Sequence, residues 1–394
     1  MTKLTRTAGS GALLGITMAV ANALSYVFVL IISRAFGPAD FGAYSALSAF
    51  GIVLSVPAGA LQVIVARHIA KEDSSSTGIR LAIWLGSLLA GFTIIASMAL
   101  ETAFRLDSPW PAIWAGLTLI PMTMTGTFQG ILLGQDRLPA LSSIYVSTAV
   151  GRLAAGGIGA AFGLNVTQMF ALLFVAATFV AAQGLWLCRD RLAEDSNTWA
   201  LFPELMRATI SLGAFIALTN VDTTLARVFL SEEESGGYAL AATFGRAVGW
   251  GTQFMALLMI PRMQTAGRTR ALMWANLIII VLGISCVAVI AVAPGWWMSL
   301  VGGAAYSTYG TLAIACVSLG TLWALVQLWL FVEMSVNHTF LGNLTWIIIG
   351  IQTLAISLWF HEHAIQLVAV NAVGTSTIVA VALLRIRRLD SVTS

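Results

Sequence analysis

Twelve apolar runs of roughly 20 residues, cut by short polar breaks, set the frame for this chain. They fall at approximately 11–33, 41–66, 80–100, 110–133, 141–162 and 166–188, and again at 205–230, 237–261, 271–293, 309–335, 340–360 and 364–384. A helix of that length covers about 30 Å, the thickness of the hydrocarbon core of a bilayer. Charged residues make up 9% of the chain, against about 25% in a soluble domain, so lipid rather than water must solvate most of the surface. Inside lipid every backbone polar group needs a partner within the protein, and apolar runs of this length meet that need as helices. The expected fold class is an all-α integral membrane protein of about 12 transmembrane helices. The leading run from Gly11 to Ser33 is too long for the apolar part of a signal peptide and reads as a retained first span.

Charge placement gives the orientation. With the N-terminus in the cytoplasm, the inner segments hold Lys3, Arg6, Arg67, Lys71, Arg80, Arg137, Arg189, Arg191, Arg207, Arg262, Arg268, Arg270, Arg385, Arg387 and Arg388. The outer segments hold Arg34, Arg105 and Arg227. Such a bias is the positive-inside rule, and it predicts both termini in the cytoplasm of a multi-pass protein of the inner (plasma) membrane. Shifting the count by one span destroys the alternation.

A repeat divides the chain. The stretch Ser33–Phe50, SRAFGPADFGAYSALSAF, returns in degraded form at Ala226–Phe244, ARVFLSEEESGGYALAATF. Gly42 aligns on Gly236, Tyr44 on Tyr238 and Phe50 on Phe244. Two similar halves follow: a six-helix bundle over 1–188, a cytoplasmic linker over 189–204, and a second six-helix bundle with a short basic tail over 205–394. Six spans is an even number, so the second half enters the membrane in the same sense as the first. Parallel repeats of this kind occur in transporters, and a central cavity between two bundles, opening to alternate sides, is the natural reading. Pro294–Tyr309, with its Trp pair, two Gly and two Tyr, reads as an interfacial or half-inserted segment.

Three motifs carry a family likeness. The pattern Arg34, Phe36-Gly37-Pro38, Asp40-Phe41-Gly42 and Tyr44 resembles the first loop of polysaccharide-type flippases in the multidrug/oligosaccharidyl-lipid/polysaccharide (MOP) exporter superfamily. Asp222 followed by Glu232–Glu234, Gly236 and Tyr238 is similar to the signature of the second half of that family, and Phe128-Gln129-Gly130 through Gly134 to Arg137 resembles its fourth span. The chain departs from the pattern at Pro294–Tyr309 and in its short tail. The resemblance implies a carrier that moves a lipid-linked oligosaccharide of the polyprenyl-pyrophosphate type from the cytoplasmic to the outer leaflet for cell-surface polysaccharide assembly. Its expected partners are membrane lipid, the lipid-linked glycan and other polysaccharide-assembly membrane proteins.

Ionisable groups well inside spans are the first candidates for a site, because a charge near the bilayer centre costs at least about 2.5–3.5 kcal/mol. Three qualify: Arg152, Asp222 and Arg246. Asp222 and Arg246 lie about 12 and about 15 Å below the same surface on adjoining helices, which allows an ion pair. That pair serves either cargo or helix packing. Their counterparts in the first half are Val29 and Ile52, so the site is asymmetric. Arg152 has no acid at matching depth. A guanidinium keeps its charge and binds phosphate oxygens in a fork, so Arg152 is a candidate for a lipid pyrophosphate; the alternative is donation to backbone carbonyls near Gly151, Gly156 and Gly157. Arg34 is a gate candidate beside the Gly37-Pro38 turn, although snorkelling accounts for Arg34 and Arg227 alike. Among intramembrane amides, Asn22, Gln62, Asn220 and Gln253 are expected to line a sugar path, with interhelical hydrogen bonding as the commoner alternative. Pro57, Pro121 and Pro261 are expected to break their helices, and Glu333 reads as an interface charge.

Other chemistry finds little support. His361-Glu362-His363 lacks the spacing that places two imidazoles on one helix face, so no metal is expected. Cys188, Cys286 and Cys316 have no paired spacing. There is no phosphate cradle for ATP, the Glu232–Glu234 run reads as a solvated turn, and the basic residues are dispersed as topology requires rather than clustered for nucleic acid. No cofactor and no enzymatic activity are expected, and a coupling ion (H⁺ or Na⁺) is left open. The alternatives are a cation-coupled multidrug antiporter of the same superfamily, with Asp222 as the ion carrier, and an outer-face glycan polymerase or transferase.

Overall fold

The computed structural model describes residues 2–71, 77–190, 198–259, 268–335 and 339–390. Among these the regular structure is helical throughout. The first half holds α1 (Thr2–Ala35), α2 (Pro38–Leu54), α3 (Val56–Lys71), α4 (Ile79–Ile95), α5 (Ser97–Phe104), α6 (Trp110–Gly134), α7 (Leu138–Phe162) and α8 (Val166–Leu187). After a 3₁₀ turn at Thr198–Leu201 come α9 (Phe202–Leu218), α10 (Val221–Phe229), α11 (Glu232–Met259), α12 (Arg268–Val292) and α13 (Pro294–Gly302). A second 3₁₀ turn, Ala304–Tyr309, leads to α14 (Gly310–Ser335), α15 (Phe340–Leu358) and α16 (Ala364–Asp390).

Among the described residues nine helical stretches are long and apolar enough to cross a membrane, and the pair α4 and α5, bent by 57°, makes a tenth if counted as one span. Helices α7 and α11 have 25 and 28 residues, ample length for crossing. They carry Arg152 in one case and Glu232–Glu234 with Arg246 in the other, which dilutes their apolarity.

Continuity within the runs differs from the expectation. The run at 41–66 is two helices parted at Ser55, two residues ahead of Pro57, whose ring cannot donate a backbone N–H and crowds the preceding turn. The run at 205–230 is broken at Thr219–Asn220, where there is no proline. Pro121, expected to break its helix, sits inside an uninterrupted α6. Pro261 lies outside the described residues. Pro294–Tyr309 forms the short α13 and a 3₁₀ turn, with Met298 and Tyr306 buried.

Two compact units result: Met1–Ala35 with Gly51–Leu212, and Phe36–Phe50 with Gly213–Ser394. Unit 1 centres on Leu61, Ile64, Leu81, Phe128, Ile131 and Ile144, against which α3, α4, α6, α7 and α8 pack. Its tightest seam lies between α3 and α6. Gly126, Gly130 and Gly134 recur every fourth residue on α6 and face the backbone carbonyls of Ala58, Gln62 and Ala66 on α3. Small residues at this spacing let helix backbones approach closely in lipid. The Gln-Gly-x-x-x-Gly motif of the sequence therefore acts in packing. The residues after the linker also join this unit. Leu201 and Leu205 enter its core, the Trp199 ring meets Trp84 at 5.3 Å, and Glu204 bridges Arg67 at 3.1 Å and His68 at 3.6 Å.

In unit 2, α11 crosses α14 closely: a Cβ on Gly245 would overlap the Cys316 carbonyl and one on Gly320 the Gly245 carbonyl. The first part of α2 belongs here as well. Gly42 faces Gly236, its own partner in the repeat: a Cβ at Gly42 would stand 2.9 Å from the Gly236 nitrogen, and one at Gly236 would overlap the Pro38 carbonyl. Phe41 meets the Tyr306 ring edge-on at 6.2 Å. Acidic side chains fix helix starts. Glu333 Oε2 accepts the Leu341 and Gly342 amides at 2.7 and 3.3 Å, at the positive end of α15. Glu234 Oε1 accepts the Ala364 amide that opens α16, at 2.8 Å.

Candidate functional site

The sequence candidates fall into two settings. In unit 2, Asp222, Arg246 and Asn220 meet at the break between α9 and α10. A broken span leaves carbonyls without helical partners, and these must be satisfied from neighbouring helices. Arg246, on α11, does so: Nε donates to the Thr219 carbonyl at 2.9 Å, and Nη2 contacts the Thr223 hydroxyl. Asn220 Nδ2 donates to the Ile216 carbonyl at 2.8 Å. Asp222, 2% exposed, accepts the Thr223 amide on Oδ1 and the Tyr238 hydroxyl on Oδ2, each at 2.7 Å. Arg246 Nη2 lies 3.7 Å from Asp222 Oδ1.

This is a closed network. Asn220, a sugar-path candidate, and Asp222, a member of the candidate pair, are both buried, with their polar atoms engaged at the break. Beside Asp222, a cavity of about 10 Å³ is lined in part by Gln352, Thr353 and Asn371. It has room for one water-sized group and for no larger ligand.

Two outer-end readings are corrected nearby. Arg227 does not snorkel: it is 2% exposed and donates Nη1 to the Ala39 carbonyl at 3.1 Å, the Glu232 carbonyl at 3.3 Å and the Ser235 hydroxyl at 3.3 Å. It thereby ties the start of α2 to the start of α11. Glu232–Glu234, read as a solvated turn, is the first turn of α11, with Glu232 and Glu233 exposed; the Ser231 hydroxyl accepts the Glu234 amide at 3.2 Å as its cap.

Unit 1 holds the other candidates apart from Gln253. Arg152 is exposed on α7, its guanidinium 5.2 Å from the centre of the Phe28 ring of α1, a cation–π distance. It forms no ion pair with any described residue. At 100° per residue, Tyr145, Thr148 and Arg152 share one stripe of α7, about 150° around the axis from the exposed apolar stripe of Val146, Val150, Ile158 and Phe162. Arg152 is thus exposed away from the centre of that apolar stripe. Gln62 is half-buried on α3, and its Nε2 donates to the Tyr145 hydroxyl at 2.7 Å. Asn22 is half-buried on α1, while Arg34 is exposed at the end of that helix. Gln253 belongs to α11, but its side chain lies outside the described residues.

Where the Gln129–Arg137 motif ends, Ile69, Gly134, Gln135, Arg137, Cys188 and Asp190 line a cavity of about 490 Å³. Arg137 Nη1 donates to the Leu187 carbonyl at 2.9 Å. In unit 2 the His361 ring rests on Phe229 with centroids 5.2 Å apart, and its Nδ1 lies 3.0 Å from the Ile356 carbonyl.

Sequence reasoning missed Tyr238, Thr219 and Thr223 as the partners of Asp222 and Arg246. Only Tyr238 left a signal: a tyrosine two residues after a glycine in both copies of the repeat.

No protein-family model and no curated protein matches the chain. Solved structures do. An inward-facing multidrug resistance MATE family transporter of the MOP superfamily aligns with TM-score 0.74 and 15% identity over 98% of this chain and 100% of its own. The lipid II flippase MurJ, in an inward closed conformation, aligns with TM-score 0.71 and 10% identity over 95% and 87%. A MOP superfamily transporter from Pyrococcus furiosus, described as having a binding pocket of reverse polarity, aligns with TM-score 0.66 and 14% identity over 97% and 96%. At these identities the likeness is one of fold: the chain has the all-helical fold seen in solved MATE and MurJ transporters of the MOP superfamily.

Proposed function

We propose that this chain is a membrane transporter that moves a lipid-linked oligosaccharide of the polyprenyl-pyrophosphate type from the cytoplasmic to the outer leaflet, by alternating access of two six-helix bundles. In this reading α7 and α11 also cross the bilayer, completing twelve spans with both termini in the cytoplasm of an inner membrane. The fold supports a transporter. The observation that carries the cargo class is Arg152, an exposed guanidinium without an ion pair among the described residues, set mid-helix away from the centre of the apolar stripe of α7. A cation held there at a cost of several kcal/mol calls for an anion that arrives and leaves. A pyrophosphate linked to a polyprenyl tail supplies one, with the tail kept in oil.

The test is transport of a fluorescent polyprenyl-diphosphate glycan in proteoliposomes. Arg152→Ala is expected to reduce flipping at least tenfold at undiminished folded yield, and Arg152→Lys to recover part of it. Equal transport by native protein and Arg152→Ala removes the proposal.

A second reading has its own observation. Asp222 is a buried carboxylate beside a one-water cavity, a size suited to a proton or a bare monovalent cation. Coupling of transport to such an ion through Asp222 is compatible with either a glycan or an organic cation as cargo. Loss of ion dependence in Asp222→Asn supports it, and unchanged dependence excludes it.

A further inference from the structure

We propose that Gln62 and Tyr145 form a sugar-reading subsite on unit 1, and that it takes an acetamido or hydroxyl group of the glycan head. The inference rests on the reading that Arg152 holds the phosphates. Helices α3 and α7 are not close-packed neighbours, yet Gln62 reaches across and donates Nε2 to the Tyr145 hydroxyl at 2.7 Å. Both side chains remain partly accessible. The bond uses one hydrogen of the amide and one lone pair of the phenol. The Tyr145 hydroxyl proton and Gln62 Oε1 have no hydrogen-bond partner among the described residues; with the second amide hydrogen of Gln62 next to them, they set a donor and an acceptor side by side.

That pair complements a group offering one acceptor and one donor. An acetamido group does so with its carbonyl and N–H, and a sugar hydroxyl does so on a single oxygen. A simple packing bridge between helices would leave no such complementary edge accessible. The placement fits as well. Tyr145 and Arg152 are seven residues apart on one face of α7, about 10 Å along the axis, a span that the phosphates and first sugars of a head group cover. The sugars then point along α7 toward its N-terminal end.

A site built to hydrogen-bond its ligand discriminates against an analogue that lacks the partner group. The experiment measures binding of two probes to the purified full chain: polyprenyl diphosphate, and the same lipid bearing a disaccharide with an acetamido group. The readout is the ratio of the two Kd values. Native protein is expected to favour the glycan-bearing probe, and Tyr145→Phe to reduce that ratio about five- to tenfold. Gln62→Met, which keeps the side-chain length, is expected to act in the same direction and serves if Tyr145→Phe folds poorly. Arg152→Ala weakens both probes. A ratio unchanged in both subsite variants, with Arg152→Ala still weakening both probes, overturns the subsite alone. Failure of native protein to bind either probe, or indifference of both to Arg152→Ala, overturns the phosphate reading and the subsite with it.

Discussion

On the proposed twelve-span reading, the two units handle charge within the bilayer in opposite ways. Unit 2 encloses it: Asp222 and Arg246 satisfy each other, a helix break and a tyrosine, and Asp222 is sealed from every large ligand. Unit 1 leaves it open, with Arg152 resting on an aromatic ring and exposed away from the centre of the apolar stripe of α7. The same contrast runs through their seams. On α6 three glycines in a row meet α3 carbonyls, whereas α11 and α14 each contribute one glycine to their crossing. The lesson is that an intramembrane charge with a full set of partners is evidence of architecture. One without a counterion among the described residues is, on the proposed reading, a place for cargo.

Stability measurements can break this contrast. The largest effect is expected from Asp222→Ala, which strands the Tyr238 hydroxyl and leaves Arg246 without its counterion; removing one member of a buried pair costs about 3–5 kcal/mol. Thermal unfolding in detergent should show a marked fall in midpoint, and a smaller one for Asp222→Leu with Arg246→Met, which removes both charges. A double variant as damaged as either single one argues against the pair as the source of the effect. Next comes Gly130→Ala in unit 1, where the added methyl meets the Gln62 carbonyl at 2.7 Å. Overpacking of this kind costs about 1–3 kcal/mol, and an unaltered midpoint would show that the α3–α6 seam is looser than it looks. Smallest is Arg152→Met. With no ion pair to lose among the described residues, its midpoint should hold steady or rise slightly, since surface-type charge contacts contribute about 0–1 kcal/mol. A drop comparable to that of Asp222→Ala would make Arg152 architectural and dissolve the contrast.

Much of the fold is written in span length and in the repeat, because hydrocarbon thickness and backbone satisfaction leave a chain of this composition few options. Continuity is less legible. Pro57 announces the break at Ser55, but nothing local announces the one at Thr219–Asn220, which persists because Arg246, 27 residues away, accepts the duty of the missing helical donor. Depth arithmetic brought Asp222 and Arg246 within reach of each other. It could not show that Tyr238 and Thr223 would close the site, since partner geometry is a tertiary property. Arg227 was misread for a related reason: a basic residue at a span end snorkels by default, and only the carbonyls of Ala39 and Glu232 reveal why this one stays inside. Nor did the apolar pattern reveal that α2 would be shared between units, because hydropathy records the solvent of a segment and not its neighbours.

The meeting of Gly42 with Gly236 carries a consequence for how such a chain can vary. A residue that touches its own duplicate behaves like a position on the two-fold axis of a homodimer, where bulk added to either copy collides with the other. The two positions are bound to a common fate: neither can gain a side chain unless the backbones of α2 and α11 part.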